Sequence, residues 1–200
     1  MWIQPLTLRG TIARLEPLEA RHAPDLLAAA DPELFRYTPQ FPPEWSVAGF
    51  EQDIVRVNSL ANVVAFAIIL NETNRAVGRT TYMEIRPEAR NVEIGRTWIS
   101  RAYQGTRINP EIKYLMLRHA FETLSPTAIR VDLRTGGNNL HSQAAITKLG
   151  AVREATLRKH RIVPDGPSAD CPPVIRDTVI FSILDDEWPA VKRGLENRMG

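Results

Sequence analysis

The sequence predicts an α+β protein with a mixed, largely antiparallel sheet flanked by helices. Three observations support this fold class. Segments with the β-branched, alternating composition of strands outnumber helical segments, short turns join consecutive strands in the first half, and a long amphipathic helix separates the fourth predicted strand from the fifth. Strands joined by hairpin-length turns pair antiparallel, so a doubly wound parallel sheet is not expected.

The first half of the chain divides into strands and two helices. We expect strands at residues 6–15, 63–70, 76–83 and 92–99, and helices at residues 23–30 and 47–58. The second and third strands form a hairpin, because the turn between them at residues 71–74 is short and polar. Pro24 suits the start of the first helix, and Ser46 is a favoured N-cap for the second.

The second half begins with the long helix, predicted at residues 109–124. Asn109 is a favoured N-cap for this helix, and Pro110 suits its first position. We expect strands at residues 129–134, 151–162 and 176–184, and helices at residues 140–149 and from about Glu187 onward. Gly150 follows the first of these two helices in the usual C-terminal position. The Pro-rich stretch at residues 163–175 is predicted to be a loop whose role stays open.

The composition is that of an ordinary globular protein. The 200 residues contain no linker, so we expect one domain spanning residues 1–200. The 25 Lys and Arg residues are scattered and nearly balance the 23 Asp and Glu residues, which favours neither nucleic acid nor a membrane as partner. The longest apolar run is too short to span a bilayer. A single cysteine and the lack of a signal-peptide pattern predict a reducing, cytoplasmic location.

The segment from Tyr103 to Glu111 leads from a predicted strand into the long helix. A turn that feeds a helix start directs unpaired backbone N–H groups and the positive end of the helix dipole at one point, which is a common way to hold phosphate. A well-capped helix after a loop explains the same residues. The neighbouring segments of the sequence are therefore needed to choose between these two interpretations.

Five segments of the chain, taken in order, carry a resemblance to a known family. They are residues 92–99, residues 102–109, residues 111–113 with 117–122, residues 139–142 with 148–151, and residues 176–182. Together they resemble the GNAT superfamily of acetyltransferases, and within it the branch of ribosomal-protein N-terminal (RimJ/RimL-type) acetyltransferases. The resemblance covers nearly the whole chain. It implies the GNAT acyl-CoA N-acyltransferase fold, in which the fourth and fifth strands splay apart and acetyl-CoA, the co-substrate, lies in the gap.

The resemblance also implies which residues bind CoA. They are Trp98, Ile99, Gln104, Gly105, Thr106, Arg107, Ile108, Asn109, Asn139 and Ser142. Gln104 begins the family's Gln/Arg-x-x-Gly-x-Gly/Ala signature for the diphosphate, but Arg107 and Asn109 occupy positions where the signature has small residues. Arg107 therefore strains the loop, turns its side chain outward, or adds a cationic contact to phosphate. Asn109 is compatible with the signature if it caps the helix and leaves amides free.

Acetyl transfer to an amine needs a base for the amine and polar groups that stabilise the developing oxyanion. Glu93 is the candidate base because it lies on the strand beside the expected gap. A purely structural role explains a glutamate at this position equally well, with its carboxylate facing solvent or forming a cross-strand pair. Backbone N–H groups near Trp98 and Ile99, freed where the strands part, are the expected oxyanion donors.

The departing thiolate also needs a proton. Many family members carry a tyrosine at the position of Ile146, so the resemblance makes Ser142 the candidate acid in its place. A simple hydrogen bond from Ser142 to the sulfur or the pantetheine is the alternative, because a hydroxyl is a poor acid. Asn139 positions the cofactor or braces the splayed strands, or it only caps the following helix.

These residues predict an N-acetyltransferase that moves an acetyl group from acetyl-CoA to a primary amine of a protein N-terminus or a small molecule, by direct attack in a ternary complex. The alternative is a non-catalytic GNAT-fold protein that binds an acyl-CoA or another ligand, suggested by Arg107, Asn109 and Ile146. The four histidines and Cys171 lack metal-ligand spacing, so no metal is expected. The acceptor stays open, as does the choice between monomer and homodimer.

Overall fold

The structure, a computed structural model, describes residues 2–37, 41–166 and 170–200. The strands are β1 (Leu8–Arg9), β2 (Ala13–Pro17), β3 (Val64–Leu70), β4 (Ala76–Arg86), β5 (Asn91–Ile99), β6 (Arg130–Gly136), β7 (Val152–Pro164) and β8 (Pro173–Leu184). The helices are α1 (Ala23–Ala29), α2 (Val47–Asn58), α3 (Ile108–Arg118), α4 (Leu140–Lys148) and α5 (Trp188–Met199). Within the described ranges, no helix has both the length and the apolar character needed to cross a bilayer.

The strands form one eight-stranded sheet in the order β1-β2-β3-β4-β5-β6-β8-β7. Neighbouring strands are antiparallel except for β5 and β6, which are parallel. The parallel pairing covers only Asn91–Glu93 of β5, opposite Arg130–Asp132 of β6. Beyond these residues β5 stays with β4 and β6 stays with β8, so a gap opens between them. The predicted α+β fold with splayed central strands is confirmed.

Strand β3 shows how the sheet separates two hydrophobic clusters. All seven of its residues are buried, because successive side chains point to opposite faces and both faces are covered. Val64, Phe66, Ile68 and Leu70 join the cluster that includes residues of α3 and α5. Ala65, Ala67 and Ile69 join the cluster that includes residues of α1 and α2. The helices therefore lie on both faces of the sheet.

The structure corrects two predicted segments. The first predicted strand is two strands, β1 and β2, joined by a tight turn in which the Gly10 amide donates to the Ala13 carbonyl at 3.0 Å. The predicted loop at residues 163–175 is shorter, because β7 continues to Pro164 and β8 begins at Pro173, where the two residues pair. Residues 167–169 of this loop lie outside the described residues.

The helix starts were predicted with mixed success. Ser46 caps α2 by accepting from the Gly49 amide at 3.1 Å, and Asn139 caps α4 in the same way. The prediction that Asn109 caps the long helix is wrong, because α3 begins at Ile108 and no side chain at the preceding residue caps it. Instead the Thr106 hydroxyl accepts from the Ile108 amide at 3.4 Å. The last turns of the predicted long helix are instead a π-helical segment, His119–Thr123.

Glu111 ties the start of α3 to the β1–β2 turn. Its buried carboxylate accepts hydrogen bonds from the backbone amides of Thr11, Ile12 and Ala13, at distances between 2.6 and 3.1 Å. Hydrogen bonds to a charged acceptor are stronger than those between neutral groups, and the carboxylate also lies in the first turn of a helix, where the dipole favours it. Glu111 therefore supplies hydrogen-bond acceptors to the backbone N–H groups of this turn.

We expect Glu111→Ala to lower the free energy of unfolding by about 3 kcal/mol, because buried amides would lose their acceptor. Urea denaturation measures this loss. The matched control is Glu51→Ala on the exposed face of α2, which should change stability by no more than about 0.5 kcal/mol. A loss for Glu111→Ala as small as that of the control would contradict the anchoring role.

Lys113 is a buried cation on α3. It is 5% exposed, and its Nζ donates to the Thr97 hydroxyl of β5 at 2.6 Å. Burial lowers the pKa of Lys113 from the ordinary 10.5 to about 7. Between these two pH values the unfolded chain binds more protons than the folded chain, so this residue makes the protein more stable as pH rises.

We expect Lys113→Met to be more stable than the original chain near pH 7, with a gain that shrinks as pH rises toward the ordinary lysine pKa. The difference should fall by up to about 1.4 kcal/mol per pH unit in this range. Denaturation of both proteins at several pH values measures it, and other titrating groups cancel in the difference. A difference that is independent of pH would show that Lys113 keeps an ordinary pKa.

Candidate functional site

A cavity of about 180 Å³ lies where β5 and β6 part. Its walls come from β4, β5, β6, β7 and β8, from the start of α4, and from the segment between α1 and α2. The predicted residues Glu93, Trp98, Asn139 and Ser142 all line it. The structure therefore brings together the proposed base, the proposed acid and Trp98 of the segment predicted to supply the oxyanion donors. It does so through strands and a helix that are distant in sequence.

Glu93 is the last residue of β5 that pairs with β6, and its side chain is almost completely buried. Its carboxylate Oε2 lies 3.2 Å from the Arg134 Nε, and Arg134 also lies 3.6 Å from the buried Asp132. Glu93 thus does not face solvent, and it forms a cross-strand ion pair inside the cavity. Burial raises the pKa of Glu93 and Asp132 adds to this rise, while Arg134 opposes it.

Gly95 leaves the space that the Glu93 carboxylate occupies. A Cβ atom at Gly95 would lie 3.2 Å from the Glu93 Oε1 and 2.7 Å from the Met83 sulfur. Any larger residue would therefore press on the carboxylate or displace Met83. The small residue at this position keeps the proposed base in place.

A β-bulge re-aims the residues of β5 that follow Glu93. Arg79 pairs with Trp98 and Thr81 pairs with Gly95, so Arg96 and Thr97 together oppose a single residue of β4. Arg96 has φ 50°, the left-handed conformation that non-glycine residues seldom adopt. In a regular strand consecutive side chains would alternate between faces, but residues 96–98 all line the cavity. The bulge thus brings three consecutive residues to the wall of the cavity.

Trp98 and Ile99 lie on the part of β5 that has left β6. Both still pair with β4, opposite Arg79 and Gly78. The edge that faces the gap has no strand partner in the described part of the chain. The Trp98 ring packs on Phe35 with ring centres 5.5 Å apart, which holds this end of the strand. Gln104 occupies the Ile99 carbonyl on this edge, and the role of the backbone N–H groups as oxyanion donors stays a prediction.

Asn139 and Ser142 lie at the start of α4, directly after β6. The Asn139 side chain accepts from the Ser142 amide at 3.1 Å, so the predicted capping role of Asn139 is confirmed. The Ser142 hydroxyl makes no hydrogen bond to any other group among the described residues. It is therefore free to bind a ligand in the cavity. Ile146, where many relatives carry tyrosine, is packed in the hydrophobic core.

The loop before α3 lies outside the cavity. Gly105 adopts φ +75°, and a Cβ atom there would meet no other atom within 4 Å, so the space beside it is open. Within the described chain the amides of Gly105 and Thr106 donate to no acceptor. Gln104 does not point into this space, because its Nε2 donates to the Ile99 carbonyl at 3.1 Å and ties the loop to the end of β5. The exposed amides fit an anionic ligand.

Arg107 does not strain this loop. Its φ of −71° and ψ of −9° are ordinary helical values. Its Nη1 donates to the carbonyl of Met199 at 2.9 Å, at the C-terminal end of α5, where the helix dipole favours a cation. Of the outcomes that the sequence leaves open, strain is therefore wrong, and the side chain turns outward.

The sequence did not predict the arginines of the cavity. Five arginines line it, namely Arg79, Arg96, Arg134, Arg161 and Arg176. They come from five different strands, so no spacing along the chain connects them. The alternation of Arg130, Asp132 and Arg134 on β6 was the only local signal. In the described part of the chain, no group of three or more His, Cys, Asp or Glu residues could hold a metal ion.

Comparison with known proteins agrees with this geometry. The family described as Acetyltransferase (GNAT) domain matches residues 13–152. A crystal structure of a candidate acetyltransferase from T. thermophilus is 36% identical, covers 100% of both chains and has a TM-score of 0.88. A GCN5-related N-acetyltransferase from Brucella melitensis is 26% identical, with a TM-score of 0.89 over 100% of this chain and 88% of that one.

A more distant similarity concerns the fold alone. RimJ of Mycobacterium smegmatis, solved in complex with CoA-disulfide, is 20% identical over 97% of this chain and 96% of that chain, with a TM-score of 0.77. Comparison with curated protein sequences gives no match. The family match and the 36% identical structure confirm the predicted family. The chain belongs to the GNAT family of acetyltransferases and is an acetyl-CoA-dependent acyltransferase.

Proposed function

We propose that the protein transfers the acetyl group of acetyl-CoA to a primary amine by direct attack in a ternary complex, with Glu93 as the general base. The observation that carries this proposal is a buried carboxylate in the cavity where β5 and β6 part. A covalent enzyme intermediate is not needed, because donor and acceptor can meet in the same gap. The cavity and the α3 loop together suit a long donor and a small acceptor.

Two separate regions support the position of the donor. The exposed amides of the loop before α3 suit the diphosphate of CoA, and the open β5 edge at Trp98 and Ile99 suits the pantetheine arm. Gln104 links the two regions, because its side chain bonds the Ile99 carbonyl. In this proposal Ile108 and Asn109 contribute the first turn of α3 rather than side-chain contacts. The CoA-disulfide bound to the fold-related RimJ of Mycobacterium smegmatis is consistent with this donor.

Glu93 would make the acceptor nucleophilic. Amines are mostly protonated at neutral pH, and attack requires the free lone pair. A carboxylate whose pKa is raised by burial accepts the ammonium proton more readily than an exposed one. The ion pair with Arg134 opposes this rise in pKa and favours the ionised carboxylate. Glu93 thus removes the proton directly or through a water molecule.

The remaining groups would act on the thioester. Backbone N–H groups on the open β5 edge stabilise the oxygen that becomes negative when the nitrogen adds to the carbonyl carbon. Collapse of this adduct breaks the carbon–sulfur bond and releases the thiolate of CoA. The Ser142 hydroxyl, which is otherwise unpaired in the described chain, donates a hydrogen bond or a proton to that sulfur. Asn139 holds Ser142 at the start of α4.

The departures from the family pattern do not favour the non-catalytic alternative. Arg107 leaves the loop unstrained, and Ile146 belongs to the core. We place the chain in the branch of ribosomal-protein N-terminal acetyltransferases, supported by the fold of RimJ and of a Vibrio cholerae protein named for ribosomal-protein-serine acetyltransferase activity. A protein N-terminus and a small-molecule amine both stay within this proposal. A cytoplasmic location stays a prediction.

Glu93→Gln keeps the size of the side chain and removes its basicity. We expect kcat/KM for amine acetylation to fall by about 10²–10⁴-fold, because the ammonium proton loses its acceptor. Release of CoA thiol measures the rate, and calorimetry with acetyl-CoA should give an affinity within about twofold of the original. Glu51→Gln on the exposed face of α2 is the control.

The pH profile gives a second measure of the same residue. The original enzyme should lose activity as pH falls through the pKa of Glu93, at a pH above the ordinary glutamate value because burial raises that pKa. Glu93→Gln should lose this acidic limb. Full activity in Glu93→Gln, or an unchanged acidic limb, would remove Glu93 from the role of base.

A further inference from the structure

Among the described residues, three arginines of the cavity have no acidic partner. Arg79 pairs with the buried Asp53, and Arg134 pairs with Glu93 and Asp132. Arg96, Arg161 and Arg176 line the same cavity, and none of them forms an ion pair with a carboxylate in the described part of the chain. The site therefore has an excess of positive charge close to the proposed base.

Two of these arginines have side-chain nitrogens that are buried without a partner in the described chain. The Nε and Nη1 of Arg96 and the Nε of Arg176 make no hydrogen bond within the described chain. Burial, and then neighbouring arginines, lower the pKa of both guanidinium groups. Buried donors without acceptors are costly, and a protein that keeps several of them in one cavity has donors ready for an anion.

The geometry of the third arginine strengthens this point. Arg161 of β7 pairs directly with Arg176 of β8, and like charges opposite each other on neighbouring strands destabilise a sheet. Arg176 is held in place because its Nη1 donates to the Tyr37 carbonyl at 2.6 Å, in the segment between α1 and α2. The remaining Nε of Arg176 is left for another acceptor. An anion between the two guanidinium groups would offset this repulsion.

We propose that the acceptor amine carries a carboxylate or phosphate group, and that Arg96 and Arg176, assisted by Arg161, bind this anion while Glu93 receives the proton of the amine. This inference rests on the proposed function and names the substrate class of the same site. The guanidinium group suits both anions, because its planar donors match carboxylate and phosphate oxygens. The acceptor is a small zwitterionic amine, such as a free amino acid or an aminoalkyl phosphate.

The phosphates of CoA are a poor explanation of these arginines. The loop that suits the diphosphate does not line the cavity, whereas Arg96 lies three residues from Glu93 on the same strand. The pantetheine arm separates the thioester of CoA from its phosphates, so an anion beside the base belongs to another part of the reactants. The volume of about 180 Å³ is close to that of a cavity that holds one benzene molecule. A small acceptor fits this space.

The charge of the cavity also decides against small amines that carry several positive charges. Polyamines and aminoglycosides carry several cations, and each cation would be repelled by the unpaired arginines. A zwitterionic amine brings one negative charge to these arginines and one ammonium group to Glu93. Its two charges thus match the two sides of the cavity.

The test compares matched acceptors with the full-length protein. Glycine, aspartate and phosphoethanolamine are assayed by thiol release against their neutral counterparts glycinamide, asparaginamide and ethanolamine. We expect kcat/KM to be at least about tenfold higher for the anionic member of each pair. Arg96→Gln and Arg176→Gln should raise KM for anionic acceptors about tenfold or more, with little change for neutral acceptors. Arg96→Lys should restore part of the preference.

The controls separate this inference from the proposed function. Arg193→Gln, on the exposed face of α5, should leave the preference unchanged, and calorimetry with acetyl-CoA should show that Arg96→Gln still binds the donor. Equal rates for anionic and neutral acceptors overturn the inference but keep the acetyltransferase. No acetylation of any amine would overturn the proposed function itself.

A further arm of the test identifies the source of the anion. Succinyl-CoA replaces acetyl-CoA with a neutral amine as acceptor. If Arg96→Gln impairs only this reaction, the arginines bind the acyl group and the acceptor proposal is wrong. If only peptides with an acidic first residue are acetylated, and the free amino acids are not, the proposal of a small acceptor is wrong as well.

Discussion

The limited pairing of β5 with β6 is the constraint on which the site depends. The two strands share only three residue pairs, and then β6 continues along β8 while β5 stays with β4. An unpaired edge inside a sheet is normally avoided, because its N–H and C=O groups lack partners. Here the edge lies beside a cavity that contains Glu93 and the start of α4. The same break in the sheet thus supplies both the space and the polar groups.

Two buried polar side chains hold α3, the helix that follows β5. Glu111 fixes the first turn of α3 to the β1–β2 turn, and Lys113 bonds Thr97 in the bulge of β5. Burial of Lys113 carries a desolvation penalty that an apolar residue would avoid. In return, the hydrogen bond from Lys113 to the Thr97 hydroxyl fixes the position of α3 along β5. The loop that precedes α3 therefore has a defined position relative to the open edge.

Much of the fold follows from local sequence signals. The apolar, β-branched run at residues 63–70 places a strand correctly, and the caps Ser46 and Asn139 mark true helix starts. The predictions that were wrong depend on contacts between residues that are distant in sequence. The turn at Gly10 forms because a carboxylate about a hundred positions away satisfies its amides. The direction of Arg107 is set by Met199, at the other end of the chain.

The candidate site shows the same division. Glu93 and Ser142 were predicted through the family resemblance, because the ordered segments place them beside the gap. The excess of arginine was missed, since a count of scattered charges does not reveal which side chains converge on one cavity. Only the strand order brings Arg96, Arg161 and Arg176 together. The chemistry of the acceptor is thus a property of the tertiary structure.

The most direct test of the account is a crystal structure of the protein with CoA. The account predicts a pantetheine arm along the open edge of β5, between β5 and β6, with the diphosphate at the amides of Gly105 and Thr106 and the sulfur in the cavity near Ser142. CoA bound elsewhere, with the gap between β5 and β6 empty, would contradict the central claim that this break in the sheet is the site of acetyl transfer.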